Sequence, residues 1–312
     1  MVVRHKMRSS DFLSLKPLDG DELEDLLEEA LHLKNEGTRG LRPLLNKTIG
    51  LLFEKPSMRT RVSFEVAVQK LGGHPLVITD QEIQLGRRES IEDAGRVLSR
   101  YLDGLVVRTF GQDRIEELAA AADVPVINAL SDLCHPCQAL ADMLTILEYK
   151  GALRGLKLAY VGDGNNVTHS LMRAGTKLGM NITVSTPPGR RPEQEIVDEC
   201  MEYTGIYGST LEIGGDPLAG VKDADVVYTD AWVSMGQEAV DERALREEYG
   251  SFQVNDELLV AANDDVIVMH CLPAHRGQEI TDEVIDGSRS AVWDQAENRL
   301  HAQVALLYMI YG

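Results

Sequence analysis

Cysteine is scarce, with 4 in 312 residues, and aromatic residues make up only 5% of the chain, with 2 tryptophans. So few cysteines in a chain of this size speak against a disulfide scaffold and fit a reducing, cytoplasmic setting. Positive charge is also in short supply. There are 31 Lys and Arg against 50 Asp and Glu, a formal net charge of −19 at pH 7. That balance argues against nucleic acid as a partner, because no basic surface survives it except locally. Long apolar runs are missing too. No stretch approaches the ~20 apolar residues of a membrane span, so no membrane partner is expected. The basic opening, Met1 to Leu15, has no apolar core of signal-peptide length. An anionic ligand would therefore need a site that brings its own arginines against an unfavourable overall field. The acidity itself suits either solubility or a salty cytoplasm.

What is present is ordinary globular material: 44% hydrophobic and 26% charged residues, enough apolar content for two cores, in a length that suits two domains. Apolar strand-like runs alternate with helical patterns along the chain. Strands are expected at Ile49–Phe53, Pro75–Thr79, Gly104–Thr109, Val124–Asn128, Leu156–Val161, Asn181–Ser185, Val226–Thr229 and Val266–Met269. Such alternation is the pattern of parallel sheets, so the expected class is α/β, with two doubly wound domains joined by interdomain helices. Residues 9–36 read as an amphipathic helical opening, with Leu23, Leu26, Leu27, Ala30 and Leu31 at helical spacing. Lys150-Gly151 is the candidate boundary, giving domains 1–150 and 151–293, with a last helix in 294–312.

The most informative stretch is Phe53-Glu54-Lys55-Pro56-Ser57-Met58-Arg59-Thr60-Arg61. A strand ends there, Pro56 breaks it, and a helix follows with Phe64, Ala67, Val68 and Leu71 on one face and Gly72-Gly73 as its stop. Ser57, Arg59 and Thr60 fall on the first turn, where free backbone N–H groups and the positive end of the helix dipole make a ready anion site. Two hydroxyls and a guanidinium fork suit a phosphate. The alternative is a capping serine with two surface arginines. Arg108 ends an apolar strand, where it either pairs with an acid or faces an anion, and ligands of open α/β sheets gather outside such strand ends.

Three further motifs admit more than one reading. Cys134-His135-Pro136-Cys137-Gln138 contains Cys-x-x-Cys, a redox motif or half a zinc site, yet no second ligand pair exists and Cys200 and Cys271 stand alone. Gly162-Asp163-Gly164-Asn165-Asn166 follows a strand and imitates a dinucleotide fingerprint, but Val167 stands where its third glycine belongs. Asp230-Ala231-Trp232-Val233-Ser234-Met235-Gly236 puts an acid after a strand, which suits an ammonium-bearing ligand or a helix-capping Asp with a buried Trp. The proline- and arginine-rich stretch Pro187–Pro192 has no chemistry that the sequence assigns.

Taken together, these elements resemble the ornithine carbamoyltransferases across nearly the whole chain. Ser57-Met58-Arg59-Thr60-Arg61 is similar to the Ser-Thr-Arg-Thr-Arg with which carbamoyltransferases hold carbamoyl phosphate. His135-Pro136-Cys137-Gln138 matches their His-Pro-x-Gln, and His270-Cys271-Leu272-Pro273 their His-Cys-Leu-Pro. Asp230 to Gly236 matches their ornithine-specific Asp-x-Trp-x-Ser-Met-Gly. Aspartate carbamoyltransferases lack that loop, and putrescine carbamoyltransferases replace its Ser-Met-Gly core.

The resemblance implies transfer of the carbamoyl group of carbamoyl phosphate to the δ-amine of L-ornithine, giving L-citrulline and phosphate. It implies that Ser57, Met58 (through its backbone), Arg59, Thr60 and Arg108 hold the phosphate. His135 and Arg299 would polarise the carbonyl oxygen, and Gln138 and the Leu272 carbonyl would orient the NH₂. Asn166, Asp230, Ser234 and Met235 would hold ornithine, with Cys271 beside its δ-nitrogen. Arg108, His135, Cys271 and Arg299 are thus the expected catalytic set. The helix carrying Arg299 would return to the first domain. Gln84 matches a residue that reaches the carbamoyl phosphate of a neighbouring subunit, implying a homotrimer or a multiple of trimers. No metal or cofactor is expected, since the substrate carries its own activated leaving group. Arg61 points to another helix face and is expected to be a buried ion-pair partner. Met58 departs from the family's usual Thr and removes one hydroxyl from the phosphate loop.

Overall fold

In the computed structural model the described residues are 10–233 and 242–312. They form two compact units, Met1–Leu144 with Asn298–Gly312, and Thr145–Glu297. The first contains α1 (Gly20–Glu36), β1 (Thr48–Phe53), α2 (Met58–Lys70), β2 (His74–Thr79), α3 (Asp80–Ile83), α4 (Ile91–Leu98), β3 (Gly104–Arg108), α5 (Gln112–Ala121), β4 (Val126–Leu130) and the start of α6 (Pro136–Lys150). The second contains β5 (Lys157–Val161), α7 (Asn166–Lys177), β6 (Asn181–Ser185), α8 (Gln194–Tyr207), β7 (Thr210–Gly214), α9 (Pro217–Val221) and β8 (Val226–Thr229). It continues through α10 (Glu242–Tyr249), α11 (Asp256–Leu259), β9 (Ile267–His270), α12 (Asp282–Ile285) and the start of α13 (Val292–Tyr311).

The first sheet is wholly parallel in the order β2-β1-β3-β4. Its central strands are buried at nearly every position, as expected for strands covered on both faces. Leu52, Leu105 and Val107 pack with Ile115 and Leu118 of α5 in one core cluster. The strand order reverses between β1 and β3, so the crevice for a ligand opens at their carboxyl ends. There the Ser57 turn leaves β1 and Arg108 closes β3.

The second sheet is also wholly parallel, in the order β7-β6-β5-β8-β9. Val161, Val227 and Val268 pack with Val254, Ile280, Val284 and Ile285 in a core cluster on one face. Its reversal lies between β5 and β8. The turn before Asn166, Asp230 and Cys271 all follow carboxyl ends of neighbouring strands.

Two expectations need correction. The helical opening does not run from residue 9, because α1 starts at Gly20, behind a capping box of Asp19 and Glu22. Upstream, Phe12 is extended and pairs beside β4: its N–H donates to the Val126 carbonyl at 2.9 Å, and its carbonyl accepts from Asn128 N–H at 2.8 Å. Phe12 is fully buried there, so tertiary pairing overrides the apolar spacing. The strand β7 escaped the sequence reading because it lies at a sheet edge, and only Leu211 along it is buried. No helix among the described residues is long and apolar enough to cross a membrane.

Candidate active site

In the first unit, Ser57 is the N-cap of α2. Its Oγ accepts from Thr60 N–H at 3.3 Å and donates to Thr60 Oγ1 at 3.0 Å. Ser57 thus takes the capping role, on the turn where the helix start leaves backbone N–H groups without partners inside the helix. Met58 takes the first helical position, where a backbone N–H has no partner inside the helix. Its side chain is 72% exposed, so what it offers the turn is its backbone. Arg59 follows, partly exposed. Thr60 is fully buried, and its Oγ1 also accepts from Nη2 of Arg299 at 2.9 Å.

Arg299 joins three sequence-distant elements. Besides Thr60, its Nη1 donates to Gln138 Oε1 at 2.8 Å and lies 3.5 Å from His135 Nε2. A guanidinium can only donate, so the His135 lone pair faces it and the ring proton belongs on Nδ1. Burial, then the positive charges of Arg299 and Arg108, push the His135 pKa well below its ordinary 6.5. His135 is therefore a neutral imidazole with one N–H to give, suited to donating to a carbonyl oxygen without losing its proton to it. Gln138 is oriented in turn, because its Nε2 donates to Asp142 Oδ1 at 2.8 Å. Arg108 is only 3% exposed at the end of β3, where the register with β4 shifts between Val107 and Arg108.

Contacts of Glu54 and Arg114 that the sequence does not signal tie the neighbouring segments together. Glu54, directly after β1, takes Nη2 of Arg114 on Oε1 at 2.7 Å and accepts from the Thr109 hydroxyl. The same Nη2 donates to the Leu85 carbonyl at 2.7 Å, which ties the residue after Gln84 to the turn before Ser57. Gln84 itself lies in the left-handed region at φ 43°, at the C-cap of α3. Ser90 caps α4 by accepting from Asp93 N–H at 3.1 Å. Arg61 departs from expectation: it pairs with Glu65 one helical turn on, but at 55% exposure the pair is on the surface, because the outer face of α2 meets water.

Cys134 and Cys137 are buried packing residues. Cys134 Sγ accepts from Asn128 Nδ2 at 3.3 Å and donates to Gln112 Oε1 at 3.3 Å, and burial pushes the Cys137 thiol up to about 12. A thiol held protonated is a poor nucleophile for a redox pair.

In the second unit, Asp230 is the fixed point. Its Oδ1 accepts from Ala231 N–H at 2.8 Å and from the Cys271 thiol at 2.8 Å, and its Oδ2 accepts from Asn165 Nδ2 at 2.8 Å. Asn165 also caps α7, its Oδ1 accepting from the N–H groups of Val167 and Thr168. The sequence reading singled out Asn166, which begins α7 next to it. Leu272 follows Cys271 at φ 56°. Ser234 and Met235 lie outside the described residues.

Asp230, His270 and Cys271 bring three ligand atoms within 4.8 Å of one another. They do not make a three-ligand metal site as they stand, because both ring nitrogens of His270 are committed, Nδ1 to Leu272 N–H and Nε2 to Glu279. The dinucleotide reading also fails on geometry. Gly164 is needed for close approach, but to the protein's own backbone: a Cβ there would meet Pro192 N at 2.3 Å and the Arg190 carbonyl at 2.5 Å. Gly164 N–H donates to that carbonyl at 2.8 Å, so the 187–192 stretch covers the face a pyrophosphate would use. Arg190 then pairs with Glu248 at 2.7 Å, and Tyr249 donates to Asp163 Oδ1 at 2.7 Å.

Comparison with known proteins divides the chain near the same place, after residue 148. Residues 10–148 match the family profile for the carbamoyl-P binding domain of aspartate/ornithine carbamoyltransferase, and residues 154–310 match the profile for its Asp/Orn binding domain. The chain belongs to the aspartate/ornithine carbamoyltransferase family. Among the relatives of this carbamoyltransferase, the ornithine carbamoyltransferase of Thermococcus kodakarensis is 52% identical over 314 residues, covering 100% of this chain and 99% of that one. The solved ornithine carbamoyltransferase of Pyrococcus furiosus superposes with a TM-score of 0.94 at 51% identity, covering 100% of this chain and 99% of that one. That of Gloeobacter violaceus gives 0.89 at 46% identity, covering 97% and 99%. The Ser57 turn and Arg108 stand at carboxyl ends of strands in the first sheet, and the turn before Asn166, Asp230 and Cys271 follow carboxyl ends in the second.

Proposed function

We propose that this chain is an ornithine carbamoyltransferase, moving the carbamoyl group of carbamoyl phosphate to the δ-amine of L-ornithine to give L-citrulline and phosphate. The observation that carries the reading is the buried Arg299 fork, joined to Thr60 and Gln138 beside a neutral His135. In the proposed division of work, Ser57, the Met58 backbone, Arg59, Thr60 and Arg108 bind the phosphate. His135 and Arg299 polarise the carbonyl, and Gln138 with the Leu272 carbonyl orients the NH₂. Asn166, Asp230, Ser234 and Met235 bind ornithine, with Cys271 at its δ-nitrogen.

The chemistry makes two demands. A δ-amine resembles that of Lys, with a pKa near 10, so only about one molecule in a thousand is nucleophilic at pH 7. Neighbouring cations and partial desolvation favour the neutral amine, as they do for a buried lysine. Negative charge then grows on the carbonyl oxygen and the leaving phosphate. Preorganised donors there are each worth about 3–4 kcal/mol. In this reading Arg299, held by Thr60 and Gln138, together with Arg108 and the His135 N–H, are donors of that kind.

The assembly we propose is a homotrimer or a multiple of trimers, with Gln84 serving a neighbouring site. The setting is cytoplasmic and the role arginine metabolism, with biosynthesis favoured because the matching Pyrococcus furiosus relative is named an anabolic ornithine carbamoyltransferase. Citrulline formation from carbamoyl phosphate, measured with L-ornithine, putrescine, aspartate and acetylated ornithine in parallel, tests the reading. L-Ornithine should be preferred. Preference for putrescine would keep the family and reject the subtype, and no product with any amine would reject the activity.

A further inference from the structure

His270 ends β9 immediately before the two residues proposed to meet the reacting groups, and it makes no contact that the mechanism uses. It is nonetheless fully buried, as is Glu279. Leu272 N–H donates to His270 Nδ1 at 2.8 Å, which assigns the ring proton to Nε2, and Nε2 lies 3.0 Å from Glu279 Oε1. Glu279 Oε1 also accepts from His275 N–H at 2.6 Å. Behind the ring, His270 N–H donates to Gln295 Oε1 at 2.9 Å, and Gln295 Nε2 donates to the Tyr228 hydroxyl at 3.0 Å.

This chain of bonds ends on a backbone group in an unusual state. Leu272 sits at φ 56°, a conformation that residues with side chains rarely adopt and that persists where the surroundings over-determine it. The acceptor that takes its N–H is the imidazole. The peptide that carries this N–H joins Cys271, whose thiol meets Asp230 at 2.8 Å, to Leu272, so losing the acceptor frees the backbone dihedrals on which the Cys271 side chain and the Leu272 carbonyl both depend. A buried polar bridge of this kind is costly unless every member is paired.

We infer that His270 and Glu279 are positioning residues for carbamoyl transfer: Glu279 fixes the imidazole tautomer, and the imidazole fixes the Cys271-Leu272 backbone. The inference rests on the proposed roles of Cys271 and Leu272. In His270→Gln the side-chain amide reaches towards Glu279 but leaves no acceptor at the Nδ1 place. In the double variant His270→Asn with Glu279→Gln, the Asn oxygen takes that place and the buried carboxylate becomes neutral.

Steady-state kinetics of citrulline formation and the rate of Cys271 alkylation by iodoacetamide test this in the full-length enzyme. For His270→Gln, kcat should fall about 100-fold, the size of effect a misplacement near 1 Å produces, while KM for carbamoyl phosphate stays within about threefold. Alkylation of Cys271 should accelerate as its bond to Asp230 is lost. The double variant should return kcat to within about tenfold of wild type and restore the slow alkylation. If His270→Gln does not fold, Glu279→Gln carries the same test, with kcat down about tenfold and faster alkylation. Wild-type kcat and alkylation in the folded single variant, or no recovery in the double variant, would overturn the inference. Wild-type protein that makes no citrulline would instead remove the functional reading, and the alkylation series would still decide the loop geometry.

Discussion

Replacing Arg299 by Lys isolates what the guanidinium fork does, because the positive charge stays. The native side chain divides its donors between Thr60 Oγ1 at 2.9 Å and Gln138 Oε1 at 2.8 Å, from two different nitrogens. One ammonium on a flexible stem cannot reproduce that planar pair. At least one charge-assisted bond is lost, and a buried acceptor left without its donor costs about 1–3 kcal/mol. In the reaction, a misplaced cation forfeits a preorganised donor worth about 3 kcal/mol at the developing oxyanion. At 1.36 kcal/mol per decade, that is a fall in kcat of about 100-fold. The stability loss should lower the melting temperature by about 2–12 °C, at 2–4 °C per kcal/mol for a domain of this size. Citrulline formation at saturating substrates gives the first number, and a thermal melt followed by circular dichroism gives the second. A variant that melts like wild type and turns over within about threefold of it would refute the argument that the fork is built for this chemistry.

Three other outcomes are expected. Arg59→Ala should remove most citrulline-forming activity and leave the melt nearly unchanged, since Arg59 is partly exposed on the first turn of α2; wild-type turnover would take it out of the phosphate site. Asn165→Asp keeps an oxygen to cap α7 but sets a second carboxylate where an amide now donates to Asp230 at 2.8 Å. KM for ornithine should rise about tenfold or more with the helix intact, and an unchanged KM would mean that Asp230 needs no such support. His135 is held neutral in the folded protein, with its pKa pushed below 6.5 by burial and two arginines, while the unfolded chain takes up the proton near that value. The unfolded state therefore binds more protons as pH falls, so this residue's contribution to stability is full above about pH 6.5 and declines on acidification below it. Melting temperatures between about pH 5 and 7 should fall less steeply in His135→Gln than in wild type; equal slopes would show that the imidazole ionises freely.

The sequence by itself determined the class of fold, because alternating apolar runs and amphipathic helices leave parallel sheets as the way to bury both. It also determined the turn after β1, since a proline, a capping serine and a following helical face are local signals that need no distant partner. His135, Gln138, Asp230 and Cys271 were singled out through resemblance to a family. Tertiary structure alone decided what holds them. Nothing local says that Glu54 and Arg114 bind across 60 residues, that Asn165 grips Asp230, or that Gly164 is filled by the 190–192 backbone. Nor does local pattern say that Phe12 leaves a helical-looking stretch to pair with β4. Supporting contacts of this kind depend on which distant groups the fold brings within about 3 Å, and hydrogen bonds at that range leave no periodicity in the chain.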